Sequence, residues 1–164
     1  ASPRHSLIGK HVTDILPATM IKLAAIPSII GIKDASGNLA RVSSHRIGCG
    51  PDFCQLSGND DMAVAFNGAG GVGCISVTAN VAPNLCAEVQ RACQAGDFAH
   101  ARELDDVLHA LHGALFADAS PGPAKYALSR ILDWMTDELR LPMTRPCEAA
   151  RNAVDAALEI AGLI

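Results

Sequence analysis

The chain has 164 residues, a length suited to one ordinary domain, and a formal net charge of -4. Hydrophobic residues make up 49% and charged residues 18%, which is ample apolar material for a core and excludes a disordered chain. The acidic balance argues against a general nucleic-acid binder. No run of about 18 apolar residues is present to span a membrane.

The first residues, "ASPRHSLIGKH", lack the apolar core of a signal peptide. The six cysteines, Cys49, Cys54, Cys74, Cys86, Cys93 and Cys147, include no C-x-x-C pair. In a chain that is neither short nor secreted in character they read as reduced thiols, and the expected location is the cytoplasm.

In chain order, Asp14-Ile15-Leu16-Pro17 opens a helix whose apolar stripe includes Met20, Ile21, Leu23 and Ala24. Pro17 sits where a first-turn proline is tolerated, and the helix is expected to end near Ile26-Pro27. Ser28 to Lys33 reads as a short apolar strand. Asn38 to Ile47 reads as a helix with Gly48 as its C-cap. The pattern then repeats. Phe53 to Leu56 is a strand, Ser57 to Asp61 a polar loop, and Asp61 is placed to cap a short helix running through Phe66. Val72 to Val77, rich in β-branched residues, is a third strand, and Thr78-Ala79-Asn80 is its polar exit. Strands alternating with helices predict parallel βα units.

After Pro83 the pattern is helical. Helices are expected over Asn84 to Ala95, Asp97 to Ala117, Pro123 to Met135, and Pro146 to Ala161, with "LRLPMTRP" as an extended connector before the last. Three parallel strands are clear, and "HSLI" at residues 5–8 would make a fourth. A closed α/β barrel needs eight, so the strand-bearing part reads as an incomplete barrel.

Lys33 raises the sharpest question. At an arbitrary strand end a lysine merely reaches solvent. Here polar clusters follow each strand, and in α/β barrels chemistry collects at the C-terminal ends of the strands. Desolvation in an apolar strand disfavours the charged amine and lowers its pKa. A neutral amine attacks carbonyls to form Schiff bases. The Asp34 to Asn38 turn is expected to keep the mouth of such a site polar.

Other motifs carry less. Residues 68–73, "GAGGVG", match a dinucleotide-binding fingerprint by letter, but follow a helix and open a strand, the reverse of the required context. They read as a tight helix-to-strand turn. His109 and His112, three apart on a helix with Asp105 and Asp106 nearby, are weighed against a metal site. The reading favoured is a solvated helix face, and no metal is expected. Asp60 and Asp61 point in different directions and read as a helix cap and a loop contact.

The segments "IIGIKDASGN", "LSGNDD", "GAGGVGCISVTANVAP" and "LRLPMTRP", in that order, resemble the C-terminal half of the dihydrodipicolinate synthase family. This is a group of pyruvate-dependent class I aldolases that includes N-acetylneuraminate lyase. The match runs from about Asp14 to the C-terminus, and "SPGPAKYAL" resembles the family's late helical segment. The resemblance implies the C-terminal half of a TIM (β/α)8 barrel followed by a helical extension. Residues 1–82 would be the partial barrel, and 83–164 the last barrel helix and the extension.

The resemblance further implies that Lys33 is the Schiff-base lysine, condensing with pyruvate so that the enamine attacks aspartate semialdehyde in lysine biosynthesis. Gly58 and Asn59 would stand near the substrate, and Ile75 would supply a backbone carbonyl near the lysine. No cofactor is implied, because the protein's own amine is the electron sink. The family's tyrosine and arginine ahead of the first helix correspond to His5 and Lys10, counting back from Pro17. Lys10 would bind a carboxylate and His5 would move protons. The lone tyrosine, Tyr126, lies in the late helices. The family's threonine pair belongs to the N-terminal half. Partners are expected to be a complementing N-terminal half or further copies of the chain, with no nucleic acid and no membrane. A different reading is a half-barrel without catalysis, serving as an assembly or partner-binding piece.

Overall fold

The computed structural model describes residues 14–164, which divide into a compact unit running to Ile75 and a second over Ser76–Ile164. The expectations for "HSLI", His5 and Lys10 lie outside the described residues.

The first unit begins with helix α1 (Pro17–Leu23), with proline in its first turn and Leu16 extended ahead of it. The helix closes before Ile26, because Pro27 disfavours helical backbone in the residue before it. Strands β1 (Gly31–Asp34), β2 (Cys54–Ser57) and β3 (Gly73–Cys74) form a parallel sheet in that order. Helix α2 (Ala40–Cys49) joins β1 to β2, and a 3-10 turn (Asp60–Met62) with helix α3 (Ala63–Gly68) joins β2 to β3. The predicted βα alternation is therefore present.

Register assigns every strand residue to a face. Lys33 lies opposite Leu56 and Leu56 opposite Gly73, while Asp34 lies opposite Ser57 and Ser57 opposite Cys74. Successive strand residues point to opposite faces, so these are two rows on two sides of the sheet. Asp34, Gln55 and Ser57 are buried. Gln55 Nε2 donates to the Val42 carbonyl on α2 at 3.0 Å, which identifies their side as the helix-covered one. Val42, Met20 and Phe66 are buried in this unit. Burying such a side chain stabilises by about 1.5–3 kcal/mol.

Several boundaries differ from expectation for local reasons. The Asn38 side chain accepts the Ala40 N–H at 3.1 Å, so α2 begins after it. The helix runs through Gly48 and ends at Gly50, whose φ of 102° lies in the region that favours glycine. Gly48 instead meets α1: a Cβ there would fall 2.3 Å from Ile21 Cδ1. No side chain caps α3, so Asp61 does not take the role expected of it. The glycine-rich segment is a helix-to-strand turn, as read. The ladder of β3 stops well before Val77. Ser76 Oγ accepts the Ala79 N–H at 2.8 Å and turns the chain into a 3-10 segment (Thr78–Asn80), a local bond that competes with the strand.

The second unit is helical: α4 (Pro83–Gln94), α5 (Phe98–Ala114), α6 (Gly122–Ile131) and α7 (Glu148–Ile160). Helix α4 packs on α5, and α7 packs on both α5 and α6. Leu108, Leu111, Leu115, Val154 and Leu158 are fully buried among them. Asp97 caps α5 by accepting the His100 N–H at 3.0 Å. Helix α6 stops at Ile131 rather than Met135, with Leu132 extended. Trp134 beyond it is 78% exposed, so a longer helix would bury nothing there. The connector "LRLPMTRP" is non-helical.

Candidate active site

The C-terminal ends of β1, β2 and β3 bring Lys33, Gly58, Asn59 and Ile75 to one rim of the sheet. The order of pairing holds the rim together. Gly58 N–H donates to the Asp34 carbonyl at 2.8 Å, continuing the β1–β2 ladder one step past Ser57. Ile75 N–H donates to the Ser57 carbonyl at 2.8 Å, doing the same for β2–β3.

Gly58 and Lys33 are in close approach. A Cβ built on Gly58 would lie 3.0 Å from Lys33 Cε and 2.7 Å from Ala35 Cβ. The absence of a side chain at 58 is what gives the lysine stem its path. Asn59 is held by Ser57: its N–H donates to Ser57 Oγ at 3.1 Å, and Ser57 Oγ–H donates to its carbonyl at 2.8 Å. The Cys74 thiol approaches the same carbonyl at 3.8 Å. The Asn59 side chain reaches Met62 Sδ at 3.8 Å.

Two expectations change here. Lys33 is exposed, so the described residues do not desolvate it as a lysine in an apolar strand was expected to be. Three strands supply one wall, and the face bearing Lys33 has no opposing wall among them. Asp34 does not line the same mouth: it is 8% exposed and turned to the helix-covered side. Period-2 alternation carries that signal, since neighbours in a strand cannot share a face.

On the helix-covered side, Asp34, Asn38, Leu39, Ser57, Asn59 and Phe66 line a small pocket. Ser36 N–H donates to Asp34 Oδ1 at 2.8 Å, and Asn38 N–H donates to Ser36 Oγ at 3.2 Å. The β1–α2 turn is thus a chain of side-chain-to-backbone bonds starting at Asp34.

The histidine pair also resolves differently from the solvated face expected. His109 is exposed, but His112 is buried. His112 Nδ1 pairs with Thr78 Oγ1 at 2.8 Å, and Nε2 with Asp105 Oδ1 at 3.3 Å. The ring ties the 3-10 segment after β3 to α5. Spacing alone could not reveal this, because both partners of the ring were needed. No cluster of three metal-binding side chains occurs among the described residues, and no helix of theirs is long and apolar enough to cross a membrane. All six cysteines are unbridged.

A family model described as the dihydrodipicolinate synthetase family matches residues 8–161. The chain belongs to this family. It is 62% identical over 159 residues to a 4-hydroxy-tetrahydrodipicolinate synthase of Rhizorhabdus wittichii, an alignment covering 97% of this chain and 55% of that protein. The crystal structure of dihydrodipicolinate synthase from Thermotoga maritima superposes with a TM-score of 0.90 at 32% identity, covering 96% of this chain and 54% of that one. The chloride-inhibited enzyme from Acinetobacter baumannii, solved with pyruvate, gives 0.86 at 36% identity, over 92% of this chain and 52% of that one. The chain spans about half the length of the curated relatives it matches. The fold is accordingly part of the family's α/β barrel, followed by its helical extension. The family match begins at residue 8, upstream of Asp14, where the resemblance was expected to start.

Proposed function

We propose that this chain carries the imine-forming half of a synthase that condenses pyruvate with aspartate semialdehyde. The carrying observation is the close approach of Lys33 to Gly58 at the strand ends, beside Asn59 and Ile75. The Lys33 amine adds to the pyruvate ketone and expels water, giving the imine. Loss of a methyl proton then gives the enamine, whose carbon attacks the aldehyde. Gly58 leaves space for the bound ketone, Asn59 lies along the substrate path, and the Ile75 carbonyl faces the ammonium or imine nitrogen. Lys10 receives a substrate carboxylate.

Catalysis by this chain requires a second wall. Lys33 is exposed, and Ile30, Val72 and Ile75 are exposed apolar residues at 75%, 55% and 48%. An N-terminal barrel half, or another copy of the chain, would cover them. The same exposure favours a second reading, in which the half-barrel does no chemistry and serves only as an assembly piece.

Borohydride trapping separates the two. With pyruvate, and with an N-terminal half from a relative added, a reduced adduct is expected on Lys33 by peptide mass. Lys33→Arg should abolish it, since a guanidinium stays protonated and forms no imine. Labelling spread equally over Lys10, Lys22 and Lys125 would leave the assembly reading. The chain alone should turn over at least about a hundredfold more slowly than the complemented pair, the scale of lost positioning.

A further inference from the structure

Behind the strand that bears Lys33 lies a buried carboxyl with one oxygen unused. Asp34 is 8% exposed; Oδ1 accepts the Ser36 N–H, while Oδ2 is buried without a hydrogen-bond partner among the described residues. Buried polar atoms are rarely left so, because an unmade bond forfeits the solvation lost on burial. The pocket beside Asp34 offers about 10 Å³ to the centre of a water molecule, room for about one water. Ser57 and Asn59 line the same pocket, and Ser57 is the register partner of Asp34 on the same face.

We propose that Asp34 is a positioning residue for the loop of Gly58 and Asn59, acting through one water held in this pocket. The water donates to Asp34 Oδ2 and bonds polar groups of Ser57 or Asn59. Three attachments then run from one residue. The Asp34 carbonyl holds the Gly58 N–H, Oδ1 holds the β1–α2 turn, and Oδ2 holds the Asn59 side of the β2 loop through water. Lys33 leaves the strand from the opposite face, so the back of the strand fixes the loop over which the lysine stem passes. The effect on imine formation rests on the reading of Lys33 given above.

The test compares the chain with Asp34→Ala and Asp34→Asn. Asn keeps an acceptor for Ser36 and presents an N–H to the water; Ala keeps neither. Hydrogen exchange at the Asn59 amide is expected to quicken about three- to tenfold in Asp34→Ala, the scale of one hydrogen bond, and to change little in Asp34→Asn. The Val42 and Leu56 amides serve as reference. Exchange at Asn59 that stays at the wild-type rate relative to them overturns the proposal. A crystal structure of the unmodified chain decides the water without any variant. One ordered water within reach of Oδ2 and of Ser57 or Asn59 supports it, and a dry pocket or a direct protein donor on Oδ2 overturns it.

Pyruvate and borohydride supply the functional arm. Asp34→Ala should trap on Lys33 several-fold more slowly than wild type. Wild-type rates in that variant would refute the positioning role. With the N-terminal half of a relative added to both, no Lys33 adduct in the wild-type chain would instead sink the imine reading, while exchange and crystallography still judge Asp34.

Discussion

The helical unit and the strand unit spend their buried residues differently. In the helical unit the fully buried positions are mostly leucines and small residues, and its two buried polar side chains, Thr78 and His112, bond each other. The strand unit buries Asp34, His45, Gln55, Ser57 and Asp60. Among its described residues, Asp34 Oδ2, both His45 nitrogens and Gln55 Oε1 lack a hydrogen-bond partner. It also exposes Ile30, Ile47, Val72 and Ile75. Both units expose apolar side chains, Trp134 and Leu141 among them in the helical one; the difference lies in the buried polar groups, which bond each other in the helical unit and stay partly unpaired in the strand unit.

The largest expected effect falls in the helical unit. Leu158→Ala should lower stability by about 2–5 kcal/mol, the usual cost of emptying a buried leucine site. Chemical denaturation followed by circular dichroism measures it. Ile47→Ala, at a site 84% exposed, should change stability by less than about 0.5 kcal/mol. Equal costs would erase the contrast between the units.

Gly58→Ala should cost about 1–3 kcal/mol through overpacking against Ala35 and the Lys33 stem. Its sharper signature is a slower adduct at Lys33, out of proportion to any unfolding. An adduct formed at the wild-type rate would show that the lysine has another path.

Uncovered apolar surface should make the chain self-associate. Ile30→Lys, at 75% exposure, should move sedimentation toward the monomer while leaving the helical unit's thermal transition in place. A monodisperse wild-type monomer would contradict the picture of a wall awaiting its partner.

Smaller effects appear with pH, and the units differ in direction. In the strand unit, hydrogen bonds and charge from Arg41 outweigh some desolvation and hold Asp14 below its ordinary pKa of 3.8. Folding therefore favours the carboxylate. Its contribution is present above about pH 4 and is lost as pH falls through the depressed value. Asp14→Asn should flatten that acid-side slope. In the helical unit, burial raises the Tyr126 pKa above 10.0, helped by its 2.9 Å bond to Asp155 and that residue's charge. Folding favours the neutral phenol, so this contribution is full below about pH 10 and is lost as pH rises through the raised value. Tyr126→Phe should flatten the alkaline slope. Thermal midpoints across both pH ranges read the two slopes separately.

Much of this architecture was legible in the residues themselves. The short apolar run before Lys33, the β-branched run at Val72 and the helical pattern after Pro83 are local patterns, and local patterns specify local structure. The βα alternation then dictated a parallel sheet, and the motif around Lys33 pointed to the family. What could not be read were distances between segments far apart in sequence. Gly50, with its positive φ, closes α2, while Gly48 lies within the helix against Ile21 of another helix. His112 is buried because Thr78, 34 residues away, offers its hydroxyl. Ser57, Asn59 and Asp34 share a pocket because strand register, not spacing, sets them on one face. The sequence alone determined the elements and the identity of the candidate nucleophile. Only the tertiary structure decided which side chains are covered, which glycine clears the lysine's path, and which carboxyl is left with an unused oxygen. Those properties belong to neighbours brought together by folding, and no single segment contains them.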